Sequence, residues 1–277
     1  MTLSVVLPKF VFYKPITMKY RILVFAFCLF AVKVFSQRAA ADIILTSLGQ
    51  VTIQPVTHAS LVLSLNNAVI NTEKKLVIYA DPSGPTKFKG LPAPDMILIT
   101  DIHGDHFDTS TLAVVMTPNT ILVVPQAVAD KLPASYDKSK VVVMKNGDHI
   151  SRSGIAINAI PMYNLPESPT AMHTKGRGNG YVLNIGGKNI YLSGDTQGIP
   201  EMRSLKDIDV AFICMNLPYT MDVKEAADAV LAFKPKIVYP YHYRGRGGLS
   251  DVNAFKSLVD AGNKGIEVRL RDWYPAN

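Results

Sequence analysis

The segment ILITDIHGDHFD, residues 97 to 108, constrains what this chain can fold into more than any other stretch. Ile97, Leu98 and Ile99 read as a buried strand, and that strand empties into two histidines and three aspartates within eight residues. Asp101, His103 and Asp105 alternate, so an extended backbone turns them to one side, and the following bend brings in His106. Four such groups repel one another or go unsatisfied unless a cation or water gathers them. Imidazole with carboxylate suits zinc, iron or manganese, and the lack of cysteine here argues against a structural zinc cage. The segment is read as a metal site at the end of a strand.

The rest of the composition is that of an ordered globular chain. Of 277 residues, 48% are hydrophobic and 18% charged, enough to bury a core. The net charge of +7 is spread along the sequence without a basic block, which sets nucleic-acid binding aside. Met18 to Gln37 has a basic start, an apolar run from Ile22 to Val32 and a small-residue exit at Ser36. Residues 1–37 are therefore expected to be a secretory signal peptide, with Met18 as an alternative start, because the run is too short to span a bilayer. A lipid anchor at Cys28 fits less well, since apolar residues follow it. The mature chain, 38–277, is expected to be one periplasmic or secreted domain without stable membrane insertion. Cys214 is its only cysteine, so it has no internal disulfide.

Val- and Ile-rich runs bounded by Gly, Pro, Asn or Asp predict strands in 51–65, 75–82, 95–101, 120–125, 141–148 and 155–161. Residues 179–195 predict a hairpin turning at Gly186-Gly187, and 209–216 and 236–242 further buried strands. Helices are expected after the capping residues Asp108 and Asp222, in 125–132, and in 250–262 with Gly262 as the C-cap. No internal repeat is visible. Strand runs followed by helices in both halves predict two packed sheets with helices outside.

Five of the six histidines (His58, His103, His106, His173 and His242) sit at strand ends or in Gly/Pro-rich loops, and His149 is read as an ordinary surface or packed residue. The pattern TDIHGDHFD resembles the metallo-β-lactamase superfamily signature, His-x-His-x-Asp-His at a strand end. YLSGDT resembles the strand that carries the metal-bridging aspartate, here Asp195, and VYPYHY the one that brings the last histidine, His242. VTHASLVLSL, LVIYADP, HTKGRGNGYVLNIGGKNIYLSGDT and YTMDVKEAADA resemble the branch containing ascorbate-6-phosphate lactonase and other zinc-dependent hydrolases. The likeness runs from about Ile53 to His242. It implies an α/β, αββα sandwich of two mixed sheets flanked by helices.

Two departures stand out. Asp101 replaces the first histidine of the signature, and Asn164 stands where related branches place a histidine. His173 is the preferred ligand there, because Asn is a poor donor to borderline ions. The resemblance then implies two unequal sites. One holds Asp105, His106, Asp195 and His242; the other holds Asp101, His103, Asp195 and His173, and is richer in oxygen. One or two divalent ions are expected, zinc first and manganese or iron as alternatives. Such an ion lowers the pKa of bound water to about 7, giving hydroxide at neutral pH, with Asp105 as the catalytic group that orients the water.

Lys175 and Arg177, in HTKGRGNG, and Arg244 and Arg246, in HYRGRGG, suggest recognition of a small anionic substrate. Asn164 and Tyr219 join the candidates for substrate contact, Tyr241 and Tyr243 are candidate oxyanion donors, and His58 is a candidate positioning residue. The expected reaction is hydrolysis of an ester-type bond: lactone, phosphoester or amide. The competing reading is a metal-binding protein of the same fold with little or no turnover. It fits less well, because Asp105, His106, Asp195 and His242 are all retained.

Overall fold

The computed structural model describes residues 39–67 and 75–275, which all belong to one compact unit, Arg38–Pro275. The signal-peptide segment lies outside the described residues. Two seven-stranded mixed sheets make up the unit. The first runs in chain order: β1 (Asp42–Thr46), β2 (Gly49–Thr57), β3 (Ser60–Asn67), β4 (Leu76–Ala80), β5 (Met96–Leu98), β6 (Ile121–Val124) and β7 (Val141–Val143). The second begins with β8 (His149–Arg152), β9 (Ile155–Met162), β10 (Gly178–Ile185), β11 (Lys188–Leu192), β12 (Val210–Cys214) and β13 (Ile237–Tyr241). A short hairpin, β14 (Arg244–Gly245) with β15 (Gly248–Leu249), precedes the last strand, β16 (Glu267–Val268), which pairs with β13.

The alternation of the sequence explains the layering. In β3, Leu61, Leu63 and Leu65 join the main core, while Val62 faces a second apolar cluster. Tyr79, Ile97 and Leu122 join Val62 there, beneath α1 (Thr109–Val115) and α2 (Gln126–Ala129). The other sheet carries α3 (Pro200–Arg203), α4 (Val223–Phe233) and α5 (Val252–Gly262). β12, VAFIC, is buried at every position, as expected of a parallel strand covered on both faces. Asp108 caps α1 through Ser110 N–H, and Asp222 caps α4 through Glu225 N–H, as the sequence predicts.

The cap expected of α5 is corrected. Gly262 is the last helical residue of α5 and Asn263 is the cap. A Cβ at Gly262 would lie 2.5 Å from a Leu231 methyl, so the glycine serves the packing of α5 on α4. A repeat invisible in the sequence also exists in the topology. Each sheet makes three antiparallel pairings followed by three parallel ones, and only the alternation of apolar positions is common to the two halves.

The parallel strands of both sheets end at one edge of the sandwich, where β4 leads into Asp81, β5 into Asp101, β11 into Asp195 and β13 into His242. Bonds between the sheets pin that edge. Asn179 N–H donates to Thr100 O at 2.9 Å, Tyr181 Oη to Ile99 O at 3.0 Å and His242 N–H to His58 O at 3.2 Å. A crevice at the carboxyl ends of strands is where an α/β fold places its ligand.

Candidate metal centre

Backbone strain gathers at this edge. His58, Asp81 and His242 have φ of 51°, 44° and 46°, a left-handed conformation that non-glycine residues seldom adopt. Gly194, at φ 62°, precedes Asp195, and a Cβ there would lie 2.7 Å from Met162 Sδ, so only glycine lets β11 turn its aspartate inward.

One set of donors is deep. His106, Asp195 and His242 are buried, with His106 Nε2 3.1 Å from His242 Nε2 and 3.4 Å from Asp195 Oδ2. His242 Nε2 is 3.1 Å from Asp195 Oδ1 and 3.4 Å from Asp105 Oδ2. The second set is Asp101, His103 and His173, whose donor atoms also converge. Asp101 Oδ2 lies 2.6 Å from His103 Nδ1 and 3.8 Å from His173 Nε2. Asp195 joins the sets: its Oδ2 is 3.3 Å from His173 Nε2 as well as 3.4 Å from that of His106.

These residues fit a divalent ion. Two imidazole nitrogens 3.1 Å apart cannot both direct protons at each other, and both also face the Asp195 carboxylate. Donors about 2.1 Å from a tetrahedral ion lie about 3.4 Å apart, close to the spacings in the deep set. His173 Nε2 is buried without a hydrogen-bond partner, while its Nδ1 faces the Asn164 carboxamide oxygen at 3.1 Å. An amide oxygen only accepts, so Nδ1 carries the proton and the Nε2 lone pair points into the site.

Electrostatics agree. Burial alone would raise the pKa of Asp195, but His242 and His106 outweigh it and hold the carboxylate well below its usual range. Burial likewise opposes charge on His106, yet Asp195 and Asp81 raise it well above the ordinary imidazole value. Asp105 and Asp101 are lowered against the same burial penalty, Asp105 by His242 and His58, Asp101 by His103, His106 and Arg177. Anionic oxygens held together by imidazoles are an arrangement that a bound cation replaces directly.

Asp81 was not singled out from the sequence. Its Oδ2 is 2.9 Å from His106 Nδ1 and accepts from Thr100 Oγ1 at 2.6 Å, so it fixes the tautomer that leaves His106 Nε2 facing the centre. The available signal was an aspartate at the end of a buried strand, in YADP. Tyr274, likewise missed, lies far from every motif in sequence and reaches His58 Nδ1 at 2.6 Å.

The candidates for substrate contact divide. Asn164 is engaged at both ends: its oxygen accepts from His173 N–H at 2.8 Å and its Nδ2 donates to Tyr219 O at 2.9 Å, so it positions His173. Lys175 pairs with Glu167 at 3.0 Å and Glu201 at 3.1 Å. Arg177 donates to both oxygens of Asp101 and, at 2.6 Å, to Met172 O. Tyr219 is half-buried. Tyr241 is buried and accepts from Gly194 N–H, whereas the Tyr243 hydroxyl donates to Arg271 O and accepts from Trp273 N–H and is thus engaged within the protein. Arg244 and Arg246 are exposed in the short hairpin that follows His242 in the chain, with Arg244 over the Tyr274 ring. Cys214 is buried and its thiol pushed up to about 12, the property of a core residue. Among the described residues no helix is long and apolar enough to cross a membrane.

Comparison with known proteins is consistent with this geometry. Residues 65–243 match the family described as the β-lactamase superfamily domain. A UPF0173 metal-dependent hydrolase of Pyrococcus abyssi is 30% identical over 212 residues, 73% of this chain and 91% of that protein. A crystal structure of a candidate metal-dependent hydrolase from Parabacteroides distasonis is 36% identical, covers 84% of this chain and 98% of its own, and superposes with a TM-score of 0.73. Igni18, a metallo hydrolase of Ignicoccus hospitalis, shares the fold at 20% identity, covering 82% of this chain and 96% of its own with a TM-score of 0.65.

Proposed function

The chain belongs to the β-lactamase superfamily and is a metal-dependent hydrolase of the metallo-β-lactamase fold, and on that premise we propose that it cleaves an ester-type bond of a small anionic molecule, with zinc as its ion, outside the cytoplasm. The observation that carries this reading is Asp195, whose Oδ2 lies within 3.4 Å of a histidine from each donor set. His106, His242, Asp105 and Asp195 would hold one ion, and Asp101, His103 and His173 would hold a second beside Asp195. When bound, such an ion supplies a Lewis acid and lowers the pKa of a coordinated water to about 7.

The protein's own groups divide the remaining work. Asp105 has a side chain 40% exposed and is the member of the deep set that water reaches. Its lowered pKa keeps it a carboxylate, so Oδ1, which His58 leaves free, orients the attacking water. A proton taken there is released readily to the leaving group. Arg244 and Arg246, which have no acidic partner among the described residues, supply positive charge for the anionic part of the substrate. Lys175 and Arg177 contribute less, because their charges are answered within the protein.

The test is metal analysis of the chain from Arg38 onward, together with hydrolysis of phosphodiester, lactone and amide substrates with and without chelator. The expected result is bound zinc with chelator-sensitive cleavage of an anionic member of the panel. Arg244→Gln with Arg246→Gln should raise KM for that substrate about tenfold and leave kcat nearly unchanged. Metal-loaded protein that turns over none of these substrates would overturn the ester-bond reading. Fractionation of cells producing the full chain tests the location, the expected outcome being periplasmic or secreted protein lacking the first 37 residues.

A further inference from the structure

The C-terminal segment enters the site from outside the block matched by the family, which ends at residue 243. Trp273 anchors it: the ring is fully buried, its Nε1–H donates to Ser60 O at 3.2 Å, and it lies edge-on to Phe212 and Tyr241. Burial of so large a side chain fixes the backbone of its neighbour, Tyr274, whose own N–H donates to Asp272 Oδ1 at 2.7 Å.

The protons in this corner can be assigned. The backbone N–H of Arg244 donates to the Tyr274 hydroxyl oxygen at 3.2 Å. A backbone amide has no other role, so the oxygen accepts there and its own proton is available to His58 Nδ1, 2.6 Å away. Nδ1 is then the acceptor, and Nε2 carries the ring proton and donates to Asp105 Oδ2 at 3.1 Å. The ring has little freedom to do otherwise: its residue sits in a left-handed turn and its centre lies 3.8 Å from that of the tilted His242 ring.

We propose that Tyr274 is a positioning residue that acts through His58 on Asp105, fixing the His58 tautomer and with it the orientation of the Asp105 carboxylate. Without the hydroxyl, the other tautomer becomes accessible. Its Nε2 lone pair would face the carboxylate and push it out of place. The effect on turnover rests on the hydrolase reading; the effect on the tautomer does not.

Tyr274→Phe removes one hydroxyl and keeps the ring under Arg244, so it tests the point with little disturbance. The zinc-loaded mature chain, labelled with ¹⁵N-histidine, reports the His58 tautomer by NMR. The wild type should show the Nε2–H form alone and Tyr274→Phe a mixture. On the best substrate of the panel and at saturating zinc, Tyr274→Phe should lower kcat about tenfold, the usual scale for partners behind a metal site, with KM unchanged. Adding it to His58→Gln should cause no further loss. An unchanged tautomer in Tyr274→Phe, or a full additional loss in the double variant, overturns the proposal. A wild type without turnover refutes the hydrolase reading and leaves the tautomer measurement decisive.

Discussion

The two halves of the metal centre share Asp195 and differ in almost everything else. The deep half, His106 with His242, is sealed from water, and His106 is braced by a buried carboxylate, Asp81. The other half opens outward through His103, whose side chain is 33% exposed, and its carboxylate, Asp101, is already partnered by Arg177 at 3.2 Å. Asp101 and Arg177 together carry no net charge, as a neutral histidine would. An aspartate at the first signature position therefore changes the donor from nitrogen to oxygen without leaving an unbalanced anion. One signature segment thus supplies donors to two sets that differ in burial and in the partners behind them.

The largest expected effect breaks the deep half. His106→Ala or Asp195→Ala should abolish ion retention and chelator-sensitive turnover while circular dichroism stays native. Metal-analysed His106→Ala protein with full activity would refute the assignment. Next, Asp81→Asn keeps the shape but weakens the acceptor behind His106, and should lower metal affinity by roughly 10- to 100-fold in chelator competition. The open half responds more mildly. Asp101→His alone leaves Arg177 unpaired near the ion, so zinc occupancy should rise toward two per chain more fully when Arg177→Met accompanies it. Equal occupancy in the single and double variants would show that Arg177 does not balance Asp101.

The smallest effect is on stability against pH. His106 and His242 have pKa values raised in the metal-free fold, so the stabilisation they give is full below about pH 6.5 and is lost as pH rises through those raised values. Asp195, Asp105 and Asp101 are lowered, so their contribution holds above about pH 4 and is lost as pH falls through the lowered values. Chelated protein should thus lose thermal stability as pH rises above about 6.5. Zinc-loaded protein should gain it, because protons compete less for the imidazoles. Parallel melting curves with and without chelator check the opposed slopes.

The strand-end motif, the spacing of His103, Asp105 and His106, and the alternation in 51–65 and 179–195 were readable because they depend on chemistry local to the chain. So were the caps Asp108 and Asp222. Asn164 and His173 could be ranked from the sequence as ligands, but the bond from Asn164 to His173 joins two ends of a loop that no periodicity describes. Lys175 and Arg177 looked like free cations because nothing in the chain announces that Glu167, Glu201 and Asp101 will meet them.

What the sequence determined by itself was therefore the class of fold and the kind of chemistry: apolar alternation builds two sheets, and clustered imidazole and carboxylate at a strand end call for a cation. Only the tertiary structure decided which groups answer one another. Asp81 stands behind His106, Tyr274 behind His58 and Arg177 behind Asp101, pairs separated by 25, 216 and 76 residues. The physical reason is that a hydrogen bond depends on distance in space. Where parallel strands from both sheets end along one edge, residues remote in sequence become nearest neighbours, and their bonds bear on tautomer and charge at the centre.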